Sequence, residues 1–306
     1  MDLFLALLAK IFPLYVIIFL GFVAGKYLHV KKESIASVAI YIVTPVVIFG
    51  GAYASALTLS TISLPFLTFI VACSLCLMFY VVGKLFFKDS TKNLLAFISG
   101  EANVGYFGLP VAIALFDPPL VALYTVAIIG SNLYENSLGF FIAARGHHSS
   151  REAFARLIKL PIIYAFILGV LFNALHIQLG PIYIEFANSF KGAYLVLGMM
   201  LIGLGLAEVA KSKFDARFIS LALIAKFLAW PLLILGILFL DSNFLKFYNA
   251  DIHRIMLLYS IAPIAANVIA YTTHLKLHPE KASMAVLLST LFALLYVPLV
   301  ASLFLK

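Results

Sequence analysis

The chain has 306 residues, of which 64% are hydrophobic and 11% are charged, and its mean hydropathy is +1.11. An ordinary soluble domain is about 45–50% apolar and about 25% charged, and a soluble fold of this length could not cover so much apolar surface. The composition therefore excludes a soluble domain and predicts a polytopic membrane protein. The net charge of +8 would ordinarily suggest a nucleic-acid partner. Because the basic residues lie between long apolar runs, the expected partner is instead the lipid bilayer, with no nucleic acid.

Ten segments are apolar and long enough to cross a bilayer, which takes about 20 residues as an α-helix. In chain order they lie near residues 10–29, 34–56, 63–86, 93–116, 119–144, 157–176, 190–210, 216–240, 254–274 and 282–304. The stretch before the seventh segment, Pro181–Phe190, is also apolar and could pack at the membrane interface. Together these segments account for nearly all of the apolar residues, so we predict an all-α protein with ten transmembrane helices.

The basic residues lie mainly in alternate loops between these segments. Fifteen of the 21 Lys and Arg residues fall on one side of the ten predicted helices and five on the other, while Lys226 lies within a helix. Loops rich in Lys and Arg stay on the cytoplasmic side of a membrane. We therefore predict a multi-pass protein of the cell (inner) membrane with both termini on the non-cytoplasmic side.

The two halves of the chain resemble each other weakly. Pro13–Gly21 and Pro161–Gly169 share Pro, Leu and Gly at an offset of 148, and Leu28–His29 and Leu175–His176 follow at an offset of 147. A chance match of composition is the alternative. The span count favours a repeat, because five helices per copy place the second copy upside down in the membrane, as in many secondary transporters. The predicted organisation is a first five-helix repeat at 1–145, a cytoplasmic linker at 146–155 and an inverted repeat at 156–306.

The fourth and ninth predicted helices are interrupted near the middle of the membrane. Gly100–Pro110 contains Gly and Pro residues that weaken a helix interior, and Ser260–Asn267 contains Pro263. Non-helical backbone at this depth is tolerated only in a protein interior or a watery cavity. The ends of half-helices present N–H groups to an anion and carbonyl groups to a cation, and Asn103 and Asn267 could bind either. The alternative is a pair of kinked helices that are merely packed.

The interrupted segment Ala102–Pro110 resembles the G-N-x-G-F-x-G-L-P motif of the auxin efflux carrier family of transporters. This resemblance covers the whole chain and implies two inverted five-helix repeats, with helices four and nine crossing at their breaks, in a fold akin to that of bile acid–sodium symporters. It implies transport of small organic anions by alternating access. Related folds often form dimers, and a homodimer is an open alternative. The expected substrate-binding residues are Asn103, Gly105, Gly108, Pro110, Pro263 and Asn267.

Ionisable residues inside predicted helices add candidates for ion coupling. An intramembrane charge costs about 2.5–3.5 kcal/mol on insertion scales, so each one needs a partner or a function. Glu101 lies at the first break, and Glu135 lies with Asn132 in a polar cluster. We predict that Glu101 or Glu135 takes up a coupling proton or contributes to a Na⁺ site, with Asn132 as a further ion-coupling residue, and that Lys226 attracts the substrate anion. An internal Glu–Lys pair that only holds helices together is the alternative. No other cofactor is expected.

Neither a metal site nor an enzyme is predicted. Cys73 and Cys76 form a C-x-x-C inside an apolar run, where two small buried side chains are expected rather than a metal site. The chain lacks the H-E-x-x-H and G-x-S-x-G motifs, and its Asp residues fall in loops or termini. A channel is the remaining alternative, because interrupted helices also line pores. Saturable counterflow distinguishes a carrier from a channel.

Overall fold

The structure is a computed structural model that describes residues 2–55, 58–144, 161–208 and 214–304. All the regular secondary structure in these ranges is helical. Within them, six helices are long and apolar enough to cross a membrane: Lys32–Ala54, Leu59–Phe86, Thr91–Leu115, Pro181–Ala207, Ala216–Leu245 and Pro279–Phe304. The prediction of an all-α membrane protein is confirmed. The predicted linker at 146–155 lies outside the described residues.

The helices follow the predicted segments in chain order. The first half forms α1 (Asp2–Tyr27), α2 (Lys32–Val38), α3 (Thr44–Ala54), α4 (Leu59–Phe86), α5 (Thr91–Gly100), α6 (Leu109–Leu115), α7 (Pro118–Tyr134) and α8 (Phe140–Ala143). The second half forms α9 (Pro161–Ala174), α10 (Pro181–Glu208), α11 (Ala216–Ile224), α12 (Trp230–Leu240), α13 (Ala250–Ser260), α14 (Asn267–His274) and α15 (Pro279–Phe304).

Single π-helical turns connect several of these helices. They lie at Ala39–Val43, Val104–Gly108, Glu135–Gly139, Ala225–Ala229 and Asp241–Leu245. Such turns widen a helix locally and are often found at functional sites. The turn Glu135–Gly139 joins α7 to α8, and the turn Ala225–Ala229 joins α11 to α12. Two residues predicted to be functional, Glu135 and Lys226, therefore lie in π-helical turns.

One expectation about the seventh segment is wrong. Pro181–Phe190 is not a separate interfacial segment, because it forms the first part of the continuous helix α10. Pro181 occupies the first helical position, where its fixed φ suits a helix start and its missing N–H is not needed. The preceding Gly180 accepts a hydrogen bond from the N–H of Tyr183 at 3.0 Å.

The chain divides into two compact units that interleave along the sequence. The first unit comprises Met1–Pro65, Gly105–Ile129 and Lys159–Glu208, and the second comprises Phe66–Val104, Gly130–Ile158 and Val209–Lys306. Each unit therefore takes helices from both predicted repeats. The chain passes from the second unit to the first within the interrupted helix, between Val104 and Gly105.

Glycines allow close helix packing in the first unit. There α1 packs on α10 and α9 packs on α3. A Cβ atom at Gly21 would collide with the backbone of Met200, and one at Gly169 would collide with the carbonyl of Phe49. Small residues at such contacts let two helix backbones approach closely inside a membrane. These two glycines thus lie at close contacts of α1 with α10 and of α9 with α3.

Candidate transport site

Two interrupted helices meet in the second unit. Helix α5 ends at Gly100, and Glu101 follows with an extended backbone at φ −84° and ψ 135°. The second interruption separates α13, which ends at Ser260, from α14. The backbone N–H of Asn103 donates a 2.7 Å hydrogen bond to the carbonyl of Pro263, which joins the two interruptions directly. The breaks predicted from Gly and Pro content therefore lie against each other.

Side chains from other helices satisfy the carbonyl groups that the first break releases. The hydroxyl of Tyr134 donates to the carbonyl of Phe97 at 2.9 Å, and the indole Nε1 of Trp230 donates to the carbonyl of Ser99 at 2.7 Å. A Cβ atom at Gly100 would collide with the ring of Tyr134. The end of α5 is thus held by specific hydrogen bonds and by tight packing, as buried carbonyl groups require.

The second break is held by helix α15. The hydroxyl of Ser289 accepts a 3.2 Å hydrogen bond from the N–H of Ile264 and donates one of 3.0 Å to the carbonyl of Val286. The next residue, Thr290, is also fully buried. Ser289 of α15 thus replaces part of the helical hydrogen bonding that the second break interrupts.

One acidic and one basic side chain are buried beside the first break. Glu101 is 1% exposed and Lys226 is 0% exposed. Among the described residues, neither Oε1 of Glu101 nor Nζ of Lys226 has a hydrogen-bond partner. The Nζ of Lys226 lies 4.2 Å from the centroid of the Trp230 ring, a cation–π contact. Glu101 interacts electrostatically with both Lys226 and Glu135. We call Glu101, Glu135 and Lys226 the buried triad.

Glu135 connects the buried triad to the second break. It is 7% exposed, and the side chains of Asn267 and Tyr271 are its hydrogen-bond donors. The hydroxyl of Tyr271 also lies 3.1 Å from Oδ1 of Asn136, so its single proton is shared between Glu135 and Asn136. Nδ2 of Asn136 donates to the carbonyl of Asn132 at 2.9 Å. Asn132 therefore belongs to the same polar network, in which its carbonyl group is an acceptor.

The structure brings together most of the residues predicted for the site. Glu101, Asn103, Asn132, Glu135, Lys226, Pro263 and Asn267 all lie in the second unit. The other three predicted residues, Gly105, Gly108 and Pro110, belong to the first unit and are described there. Gly105 packs against the hydroxyl of Tyr194, and Pro110 is in the first turn of α6, where no N–H is required.

Sequence reasoning missed the aromatic residues of the site. Trp230 is the only tryptophan of the chain and follows Lys226 by about one helical turn, a spacing that allows contact. Tyr134 lies next to Glu135 in a segment already recognised as polar. Their roles depend on contacts with α5, which is more than 30 residues from Tyr134 and more than 100 from Trp230. Periodicity cannot reveal such contacts.

A second group of charged residues lies in loops and at the start of a helix in the same unit. Lys281 pairs with Asp215 at 2.8 Å and donates to the hydroxyl of Thr91 at 3.0 Å. His278 lies 3.5 Å from Asp89. We call Asp89, Asp215, His278 and Lys281 the loop cluster.

The two loop aspartates have altered acidities. Burial raises the pKa of Asp215, but hydrogen bonds from Lys281 and from the N–H of Phe218 outweigh this effect, so its pKa is lowered. Burial likewise opposes the hydrogen bonds from Thr91 to Asp89, and the pKa of Asp89 is also lowered. Both side chains are thus held as carboxylates by their donors.

Apolar helices with two interrupted segments that meet at a buried charged site are typical of membrane transporters. The sequence matches the membrane transport protein family over residues 6–301. The chain therefore belongs to this family, which is that of the auxin efflux carriers, and the resemblance of the sequence motif to them is confirmed. Membership of this family supports a transporter function. It is consistent with our expectation that the protein is not an enzyme.

Two relatives illustrate the range of the family. The uncharacterized transporter MJ1031 of Methanocaldococcus jannaschii is 24% identical over 296 residues, which cover 93% of this chain and 94% of that protein. The lysosomal cholesterol signaling protein of Mus musculus is 26% identical over 245 residues, which cover 72% of this chain and 27% of that protein. The chain thus matches the whole length of one relative and about a quarter of the other.

Proposed function

We propose that the protein is a secondary active transporter that moves a small organic anion across the cell membrane by alternating access. The observation that carries this proposal is the hydrogen bond between the two interruptions, from Asn103 to Pro263. In secondary transporters, substrate and ion sites typically lie where discontinuous helices meet near the membrane midplane. The coupling ion, H⁺ or Na⁺, is assigned to Glu101, Glu135 and Asn132.

Local structure supports two inverted five-helix repeats. Gly21 and Gly169, equivalent by the sequence offset, both lie at close helix contacts. In the predicted repeat, α1 corresponds to α9, and the segment of α3 corresponds to that of α10. The contact of α1 with α10 therefore has its equivalent in the contact of α9 with α3. His29 and His176 are also equivalent, and each has φ of 54° just after its helix ends. Non-glycine residues rarely adopt such values, so the coincidence favours a repeat over chance composition.

The residues around the crossing suit a carboxylate group. The amide side chains of Asn103 and Asn267 can donate hydrogen bonds. Asn267 also begins α14, and the positive end of a helix dipole favours an anion. These features favour an organic anion, although Glu101 and Glu135 would repel it when both are ionised.

Counterflow in proteoliposomes tests the proposed function. Vesicles loaded with unlabelled mono- or dicarboxylates are expected to take up labelled substrate transiently and with saturation. Asn103→Ala and Asn267→Ala should each lower counterflow by about tenfold, because a hydrogen bond to a charged group contributes about 1.5–3 kcal/mol. Asn243→Ala is the matched control, since its exposed side chain only donates to its own helix. Non-saturable flux without counterflow would indicate a channel, and no movement of any organic anion would refute the substrate class.

The proposed orientation is tested separately by labelling. With both termini outside, the loop that contains Lys88 faces the cytoplasm and the loop that contains Lys246 faces the exterior. In a variant free of native cysteine, an impermeant thiol reagent should label Lys246→Cys in intact cells. It should label Lys88→Cys only after permeabilisation, and the reverse pattern would invert the topology.

A further inference from the structure

The buried triad is unbalanced in charge. It contains two acidic side chains and one basic side chain, all within the second unit and in electrostatic contact. With every group ionised, the triad carries one net negative charge. An uncompensated charge inside a membrane is costly, so the triad becomes neutral only by taking up one further positive charge.

Among the described residues, the titratable groups that interact with the triad do not supply that charge. They are a thiol and three phenols, which are neutral near pH 7: Cys76 of α4, Tyr134 of α7, Tyr259 of α13 and Tyr271 of α14. We therefore expect the missing positive charge to come from solution.

Several oxygen atoms that could bind a metal cation at the breaks already accept hydrogen bonds. Coupling Na⁺ in transporters is bound by carbonyl groups of unwound helices. In this site the carbonyl groups of Phe97 and Ser99 already accept hydrogen bonds from side chains, and that of Pro263 accepts one from Asn103. The ammonium group of Lys226 would also repel a second cation next to Glu101. A proton needs only one carboxylate oxygen.

We infer that the buried triad is a proton-binding site, in which one proton is shared between Glu101 and Glu135, and that H⁺ is the coupling ion of transport. This inference rests on the proposed function and names its coupling ion. The step is a simple protonation, in which a proton from water forms an O–H bond with a carboxylate oxygen and nothing is oxidised or reduced.

Lys226 has a different role in this scheme from the one expected from sequence. Its Nζ is fully buried over the Trp230 ring and interacts electrostatically with Glu101, so we assign it to the triad as the internal partner of Glu101 and not to the substrate. The unprotonated triad, with its net negative charge, repels an anion, and the protonated triad is neutral. Proton and anion therefore favour each other's binding reciprocally, and the two move together in the same direction.

The contact between Lys226 and Trp230 provides a direct optical test. Because Trp230 is the only tryptophan, its fluorescence in purified protein reports charge beside its ring without any substrate. We expect a sigmoidal change in emission with pH in the wild type. Glu101→Gln should move the midpoint by about one pH unit or more, since interacting sites titrate as a pair. Glu185→Gln, which changes an exposed carboxylate of the first unit, should leave the midpoint unchanged.

The same fluorescence measurement also tests Na⁺ as the alternative coupling ion. Replacing choline chloride with NaCl at constant pH and ionic strength should not alter the emission. The double variant Glu101→Gln/Glu135→Gln, which removes both carboxyl groups that share the proton, should lose the pH response. A response to Na⁺, or emission independent of pH in the wild type, would overturn the inference.

The outcome is separable from that of the proposed function. A chain that titrates as expected but carries no organic anion would refute the proposed substrate and keep the proton site. A chain that carries an organic anion with no pH response at Trp230, or whose uptake is driven by an outward rather than an inward proton gradient, would refute the coupling assignment alone.

Discussion

The second unit contains two groups of charged residues with opposite surroundings. In the loop cluster, Asp215 and Lys281 pair at 2.8 Å, and both remain partly exposed to water. In the buried triad, Glu101 and Lys226 are almost completely buried, and each has a polar atom without a hydrogen-bond partner among the described residues. The accessible charges are thus paired, whereas the buried charges are incompletely paired.

This difference separates structural charge from functional charge. An exposed ion pair contributes about 0–1 kcal/mol, and its loss changes little else. A buried charge without a hydrogen bond is retained against a large desolvation cost. Such a group costs stability, so we expect it to have a role that requires its charge to change.

The largest expected effect follows from removing the amine of the buried triad. Lys226→Met leaves two acidic side chains without a positive partner, and breaking a buried pair costs about 3–5 kcal/mol. We expect a large fall in the thermal midpoint of the purified protein. Adding Glu101→Gln should recover part of the loss, because the double variant contains one unpartnered acid instead of two and returns to the net charge of the wild-type triad.

The matched control for Lys226 is Lys84, which lies 4.5 Å from the ring of Tyr80 but is exposed. Lys84→Met removes the same type of cation–π contact at the surface, where it contributes about 0.5–1 kcal/mol. If Lys84→Met destabilised the protein as much as Lys226→Met, the contrast between buried and accessible charge would be wrong.

A smaller effect is expected from crowding the first break. Gly100→Ala would place a Cβ atom against the ring of Tyr134 and the carbonyl of Ala72, and overpacking of this kind costs about 1–3 kcal/mol. Gly236→Ala is the control, because a Cβ atom there meets nothing within 4 Å. It should be neutral or slightly stabilising, since Ala favours a helix over Gly. Equal thermal midpoints for the two variants would show that the break is loosely packed.

The sequence predicted those features of the site that depend on residue types with a known energetic cost in a transmembrane helix. Pro263 and the glycines near Asn103 predicted both interruptions, and Glu101, Glu135 and Lys226 were recognised because charge is rare inside a membrane. The sequence could not reveal which donors complete the site. The contact of Trp230 with the end of α5 joins residues 131 positions apart, and only tertiary packing determines such a contact.

The loop cluster should respond to acid in a defined direction. Asp215→Asn keeps a side-chain acceptor for the start of α11 but loses the charge that pairs with Lys281. Because the folded pKa of Asp215 is lowered, its stabilising effect is complete above its unfolded pKa of about 3.9 and is lost as the pH falls through the lower folded value. The wild type should exceed the variant by about 0.5–1 kcal/mol at pH 7, and the two should converge in strong acid. Asp117→Asn, at another exposed loop, serves as the control.

The smallest expected effect comes from salt and compares the two groups directly. The Debye length falls from about 10 Å at 0.1 M to about 3 Å at 1 M ionic strength, and buried charges are screened much less than exposed ones. The stability difference between wild type and Asp215→Asn should therefore shrink in 1 M KCl, where the accessible pair is screened. The difference between wild type and Lys226→Met should stay the same, because no solvent ions reach the triad. A salt-dependent effect of Lys226→Met would mean that water and ions enter the buried site. Burial would then no longer distinguish the buried triad from the loop cluster.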